Sequence, residues 1–266
     1  MGDFMRVLIT GAARAIGAAT ATELTNAGHQ VIATARDTAL LDSLDVALRL
    51  PLDVTSESSI IEALARAGDI DAVVNNAAQH GKGPLEDYPI ERLRQMFETN
   101  AIGPIRLIQH LVKSWRERGH GVIVNISSVQ GRVATPLEGA YAGSKYALEA
   151  MSEALHYELR HFGIRTVIIE PGYIAPGMKP VSQIERNPAY AELWDEWEGT
   201  DTKLGGPEGR PGPEIVAHAV RRAIEDPSTP LRVPVGADAE LILATRSQMD
   251  DAQFEELMRE TLRLRW

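Results

Sequence analysis

Three side chains between Ser128 and Lys145 have the types and spacing for proton chemistry at an oxygen atom. Tyr141 and Lys145 stand four apart, one helical turn, and so share a helix face. An unperturbed phenol ionises near pH ~10. An ammonium beside it stabilises the phenolate and lowers that value. A tyrosine so placed can donate and accept a proton near neutral pH. Ser128 follows directly on the apolar run VIVNIS, 13 residues before Tyr141, and its hydroxyl can stand beside the phenol. A tyrosine and lysine at this spacing are more often a solvated pair on a helix surface. The chemistry therefore depends on whether the remaining elements build a site around them.

Those elements alternate. Apolar runs at 5–10, 29–35, 46–52, 70–75, 121–127, 164–170 and 231–235 read as strands. Helical spacing covers 16–27, 55–67, 90–118, 141–162 and 214–225, with Gly28 and Gly163 as stops, Thr55 or Ser56 as an N-cap, and Gly103-Pro104 inside the long third stretch. Strands that are apolar almost throughout and separated by helices predict a single-domain α/β fold, a doubly wound parallel sheet covered on both faces. In such sheets ligands sit beyond the C-terminal strand ends, where the strand order reverses. Each polar feature singled out here falls at such an end or at the start of the next helix.

The first turn, Thr10 to Gly17, follows strand one and opens a helix. Free backbone N–H groups and the helix dipole make that place suitable for a pyrophosphate. Gly11 allows a tight turn, Ala15 and Ile16 complete it, and Gly17 allows close helix–strand packing. An acidic residue closing the second strand would select NAD; this strand ends in Ala35-Arg36. Arg36 and Arg14 suit a ribose 2′-phosphate and favour NADP(H) over NAD(H). The alternative for Arg36 is a surface pair with Asp37. Asp53, after the third strand, is placed either to accept from an adenine amine or to close a turn.

Composition narrows the function classes. The 266 residues are 44% hydrophobic and 24% charged, ordinary for a globular enzyme, and include no cysteine. Disulfides, thiolate metal sites and thiol nucleophiles are excluded, and a cytoplasmic location is the expectation. A net charge of −10 argues against a nucleic-acid face. The N-terminus lacks the pattern of a signal peptide, Arg6 breaks the myristoylation motif that Gly2 would begin, and no apolar run is long enough to span a membrane. The seven histidines offer no zinc spacing: His156 and His161 are five apart and miss a shared helix face. No metal is expected. The sequon Asn125-Ile126-Ser127 lies inside an apolar strand and reads as chance.

Taken together, TGAARAIG (10–17), LDV (52–54), NNAA (75–78), TNAIG around Asn100, NISS (125–128), YAGSK (141–145) and EPG (170–172) resemble the short-chain dehydrogenases/reductases of the ~250-residue kind. The matches keep the family's order and spacing across residues 5 to 236. The stretch from SSVQGR to EPG looks like the branch with hydroxysteroid- and retinol-dehydrogenase-like members. The resemblance implies that Tyr141 is the acid/base, that Lys145 lowers its pKa and holds the nicotinamide ribose, and that Ser128 hydrogen-bonds the substrate oxygen. It further implies that Asn100 interrupts its helix and holds a relay water. Val54, Asn76 and Ala77 would lie along the cofactor, with Pro171, Gly172 and Ile174 beside the nicotinamide. A small-molecule carbonyl or alcohol substrate and a homodimer or homotetramer are implied as well.

Three positions depart from the family pattern. Ala15 and Ala78 replace glycines, and Pro176 stands where a threonine commonly meets the carboxamide; a methyl at position 15 is tolerable where φ is negative. Residues 173–210, with Met178, Tyr190, Trp194 and Trp197, read as a substrate lid, whose aromatics either meet a bulky apolar ligand or pack the lid onto the body. Residues 237–266 read as a tail of one or two amphipathic helices. The main expectation is an oxidoreductase. A non-catalytic nucleotide sensor or scaffold, and an epimerase or dehydratase on the same fold, are the alternatives.

Overall fold

The seven apolar runs form seven strands of one parallel sheet in the computed structural model, which describes residues 4–178, 184–201 and 209–265. They are β1 (Arg6–Ile9), β2 (Gln30–Ala35), β3 (Leu48–Pro51), β4 (Ala72–Asn75), β5 (Gly121–Ile126), β6 (Ile164–Pro171) and β7 (Arg232–Val235). Their spatial order is β3-β2-β1-β4-β5-β6-β7. The chain runs outward from β1 to β3, then returns to β4 on the other side of β1. The reversal between β1 and β4 is the crevice-forming point of a doubly wound sheet.

Alternation along each strand sends side chains to two cores. Val7, Ile9, Val31, Ala33, Val122 and Val124 face α1 (Ala15–Asn26) and α7 (Glu214–Glu225). Leu8, Ile32, Val73 and Ile123 face α2 (Glu57–Ala67), α4 (Gly103–Arg118) and α5 (Gly139–Arg160). Leu8, Ile9 and Ile32 have no exposed surface, and each such side chain contributes roughly 1.5–3 kcal/mol by leaving water. That two-sided burial is why the strands are apolar throughout.

Local chemistry sets the helix limits. Ser56 is the N-cap of α2, accepting from Ser59 N at 3.3 Å. The stretch expected as one helix over 90–118 is instead α3 (Ile90–Phe97), a π turn (Glu98–Ile102) and α4. Pro104 has no N–H to send to the Asn100 carbonyl, which the α pattern would require. Gly103 lets this bend approach β3's outgoing loop: a Cβ there would lie 2.9 Å from Val54 Cγ2.

Beyond β6, the described part of residues 173–210, the segment expected as a lid, contains α6 (Ala191–Asp201), and the tail forms two helices, α8 (Ala237–Ser247) and α9 (Asp251–Leu262). Trp194 and Trp197 are buried with Leu137, Leu193 and Leu262, so these aromatics pack the lid helix onto α9 and the segment before Tyr141. Asp250 and Gln253 close a capping box at the start of α9. Positions 179–183 and 202–208 of the lid, Gly2 and Trp266 lie outside the described residues. Among the described residues no helix is long and apolar enough to cross a membrane, and no group of three or more His, Asp or Glu gathers as a metal site.

Candidate active site

Ser128, Tyr141, Lys145 and Asn100 converge at the C-terminal end of the sheet and are all buried. Ser128 follows β5 and opens a 3-10 turn (Val129–Gly131), its Oγ accepting from Gln130 N at 3.1 Å. Tyr141 and Lys145 lie in the first two turns of α5. Ser128 and Tyr141 share a side-chain hydrogen bond. Lys145 Nζ donates to the Ile126 carbonyl at 2.8 Å and stands 5.8 Å from the Tyr141 ring centroid.

The electrostatics differ from the simple expectation of a phenol acidified by its lysine. Burial raises the Tyr141 pKa, the hydrogen bond with Ser128 opposes that, and the Glu138 carboxylate raises it further. Burial also pushes Lys145 down to about 8, against the pull of Glu149. Burial therefore disfavours the charged form of each group and is the largest influence on both.

Asn100 sits inside the π turn. Its Oδ1 accepts from Gln79 N at 2.7 Å, and its Nδ2 donates to Gln79 O at 2.8 Å and to Ser144 Oγ at 2.9 Å. Ser144 Oγ donates back to Tyr141 O at 2.7 Å. The helix is therefore interrupted at Asn100, as the resemblance implied, and the side chain ties the loop after β4 to α5.

The glycine turn is held from beneath. Asn76 Nδ2 donates to Thr10 O at 3.0 Å and Gly11 O at 2.9 Å, while Thr10 Oγ1 accepts from the N–H groups of Asn76 and Ala77. Gly11 has φ +64, and a Cβ there would be 2.9 Å from Ala77 Cα; a Cβ on Gly17 would be 2.4 Å from Gly11 O. Ala15 adopts φ +46, so the negative φ under which its methyl would be tolerated is not the conformation present. Helix α1, beginning at Ala15 and Ile16, has no side-chain cap and no acidic residue in its first turn, which leaves its first N–H groups for another acceptor.

Arg14 and Arg36 are both exposed, and neither has an ion-pair partner among the described residues. Asp37 does not pair with Arg36: its Oδ1 accepts from Ala39 N at 3.1 Å. Asp53 Oδ1 closes a turn, accepting from Thr55 N at 2.9 Å and Thr55 Oγ1 at 2.7 Å. Val54 is buried against Gly103. Pro171 ends β6, Gly172 N donates to Val235 O at 3.0 Å, and a Cβ on Gly172 would collide with the Asp238 carboxylate, which accepts from Tyr173 N. Ile174 is buried beside them, and Pro176 is exposed.

Several residues at this site were given no role by the sequence, although Asn75 and Asn125 lie in the NNAA and NISS motifs. Asn75, Asn125 and Ser152 form a buried ladder, Asn75 Nδ2 to Asn125 Oδ1 at 2.8 Å and Asn125 Nδ2 to Ser152 Oγ at 2.8 Å, which ties β4 and β5 to α5. The signal available was an asparagine in each of two apolar strands; Asn125 is fully buried and engaged, in keeping with a chance sequon. His80, Lys82, Gln130 and Glu138 gather next to Tyr141 from separate segments, and no local pattern announces them.

The sequence model of the short chain dehydrogenase family matches residues 5–186. A short-chain dehydrogenase from Streptomyces avermitilis is similar over 97% of this chain and 99% of its own, at 36% identity and a TM-score of 0.82. Human retinol dehydrogenase 8 is 33% identical over 208 residues, 73% of this chain and 65% of its own length. A gluconate 5-dehydrogenase from Burkholderia cenocepacia, solved in complex with NADP and tartrate, is similar over 90% of this chain and 96% of its own, at 25% identity and a TM-score of 0.72.

Proposed function

Because this chain belongs to the short-chain dehydrogenase family, we propose that it is an NADP(H)-dependent oxidoreductase interconverting a ketone or aldehyde with an alcohol, with Tyr141 as acid/base. The observation that carries this reading is the convergence of Ser128, Tyr141, Lys145 and Asn100 at the strand ends beside the glycine turn. The residues present fit a dinucleotide: the turn at Gly11 and Gly17 is packed too closely for any side chain, and α1 offers an uncapped N-terminus with no acidic residue in its first turn. Gly11, Arg14, Ala15, Ile16 and Gly17 would hold the pyrophosphate side. Arg14 and Arg36 would hold the 2′-phosphate, and Asp53 Oδ2 with Val54 the adenine. Asn76, Ala77, Tyr141 and Lys145 would hold the nicotinamide ribose, with Pro171, Gly172 and Ile174 against the ring.

When bound, the nicotinamide supplies or takes the hydride. In the reducing direction the Tyr141 hydroxyl gives its proton to the carbonyl oxygen as negative charge develops there, and Ser128 Oγ donates a second hydrogen bond. Lys145 limits the cost of the phenolate that remains. Asn100, fixed through Gln79 and Ser144, would hold the water that returns a proton through Lys145.

The substrate of this reading is fairly bulky and apolar. A cavity of about 380 Å³ between Val133, Leu193, Phe254 and Met258 is lined also by Arg246, Asp251, Glu255 and Arg259 and by none of Ser128, Tyr141 and Lys145, so it is separate from the reacting groups. Tyr157 and Phe162 are exposed on and just past α5 and Ile102 beside α4, which supports a homodimer or homotetramer; the absence of cysteine supports the cytoplasm. The test is NADPH binding by calorimetry, then NADPH oxidation over a panel of benzil, a steroid ketone and an aliphatic aldehyde. Binding followed by stoichiometric cofactor consumption is expected. A protein that binds no NADPH overturns the reading, and turnover without cofactor consumption replaces it with epimerisation or dehydration.

A further inference from the structure

Glu138 is a buried carboxylate that the reaction as described does not use. It occupies the N-cap position of α5, three residues before Tyr141, and is 5% exposed. An acidic side chain there is well placed to cap the helix, yet Glu138 makes no capping bond. Its Oε2 accepts instead from His80 Nε2 at 2.7 Å and Gln130 Nε2 at 3.2 Å, and its Oε1 pairs with Lys82 Nζ at 3.3 Å. The partners come from the loop after β4 and the turn after β5, so three segments are drawn together by one carboxylate.

This cluster touches both groups that handle the substrate oxygen. The His80 ring meets the Tyr141 ring edge-on, with centroids 4.9 Å apart and planes at 78°. Gln130 donates its backbone N–H to Ser128 Oγ. Burying an ion cluster is a poor route to stability, because desolvation offsets most of the attraction. A buried carboxylate beside a phenol does have one definite electrostatic effect: it disfavours the phenolate.

We propose, on the carbonyl-reductase reading above, that Glu138, held by His80, Lys82 and Gln130, is a positioning residue that keeps the Tyr141 phenol protonated and thereby biases the site toward giving a proton to a carbonyl oxygen. Other groups face the phenol too. Lys145 lies one turn along α5 with Glu149 behind it, and Tyr88, from the segment before α3, shares the buried cluster around Tyr141. Burial is the main reason the Tyr141 pKa is raised; of the charged neighbours, Glu138 is the carboxylate that adds to it, and the cations of its own cluster temper that addition.

The sign gives the test. Carbonyl reduction needs protonated Tyr141, so kcat falls as pH rises through the Tyr141 ionisation. Removing the Glu138 charge lowers that ionisation, and removing the Lys82 charge raises it. The experiment measures kcat against pH for NADPH-dependent reduction of the panel carbonyl turned over fastest, in the wild type, Glu138→Gln, Glu138→Asp and Lys82→Met. Glu138→Gln should move the alkaline limb to lower pH by about one unit, a roughly tenfold loss of rate at a fixed alkaline pH. Lys82→Met should move it the other way, and Glu138→Asp should leave it in place. A merely structural role would lower kcat at every pH and leave the limb where it was, and that outcome overturns the proposal. So does a shift of the same sign in Glu138→Gln and Lys82→Met. A wild type that reduces no panel member sinks the carbonyl reading itself, an outcome seen before any variant is compared.

Discussion

Lys145 donates to the Ile126 carbonyl at 2.8 Å and holds its ammonium 5.8 Å from the centre of the Tyr141 ring. The lysine is thus anchored to the end of β5, the strand that also delivers Ser128, and both reacting side chains share one rigid support. Burial disfavours the phenolate strongly, while Lys145, lowered only to about 8, still carries its proton near neutral pH. The pocket holds a neutral phenol ready to act as an acid.

Tyr141→Phe removes that proton and one oxygen without opening a cavity. Turnover of any panel carbonyl should fall by at least about a hundredfold, the lower end of the usual worth of general acid–base catalysis. NADPH affinity by calorimetry should stay within a fewfold of wild type. Persistent turnover would remove Tyr141 from the acid/base role.

Arg36→Leu tests the choice of cofactor. Arg36 is exposed and unpaired among the described residues, so its loss should leave the fold intact. A charged hydrogen bond to a 2′-phosphate contributes about 1.5–3 kcal/mol, which corresponds to a roughly ten- to hundredfold weaker NADPH. NADH affinity should hardly change. Equal weakening of the two cofactors would show that Arg36 does not meet a 2′-phosphate.

Ala15→Gly addresses the strained turn. A side chain held at φ +46 costs roughly 1–2 kcal/mol, while the added freedom of glycine in the unfolded chain costs about 0.5–1 kcal/mol. The substitution should raise stability by a few tenths of a kcal/mol to about 1 kcal/mol, a Tm gain of up to roughly 2–4 °C, and should not weaken NADPH. A lower Tm in thermal unfolding would mean that the methyl makes contacts that outweigh its strain.

Glu170 should make stability depend on pH. It lies at the end of β6 with Arg132 at 3.4 Å and Arg232 at 3.9 Å. Burial pushes its carboxyl up to about 7, the Glu149 charge adds to that, and the arginines oppose it. The folded state therefore binds a proton that the unfolded chain releases near pH ~4.3. Its contribution to stability is present below that pH and is lost as pH rises toward and through 7. Glu170→Gln should flatten the fall in Tm between pH 5 and 8 and unfold at higher temperature than wild type at pH 8. An unchanged slope would assign the pH dependence elsewhere.

The sequence by itself determined the architecture and the acid/base candidates. Seven apolar runs separated by helical spacing admit a doubly covered parallel sheet, because burial on both faces leaves no room for alternation with polar residues. Tyr141-x-x-x-Lys145, the glycine turn and Arg36 were legible because each lies within one element, where spacing fixes direction. The tertiary structure decided what depends on contacts between distant segments. Ala15 proved to carry a positive φ, which its residue type gives no reason to expect. Trp194 and Trp197 proved to bind the lid helix to α9. The phenol is not acidified by its lysine alone, because desolvation depends on everything packed around it. His80 and Glu138 lie 58 residues apart in the chain and 2.7 Å apart in space. A hydrogen bond of that separation leaves no periodicity in sequence, so only the folded chain reveals which charge stands beside Tyr141.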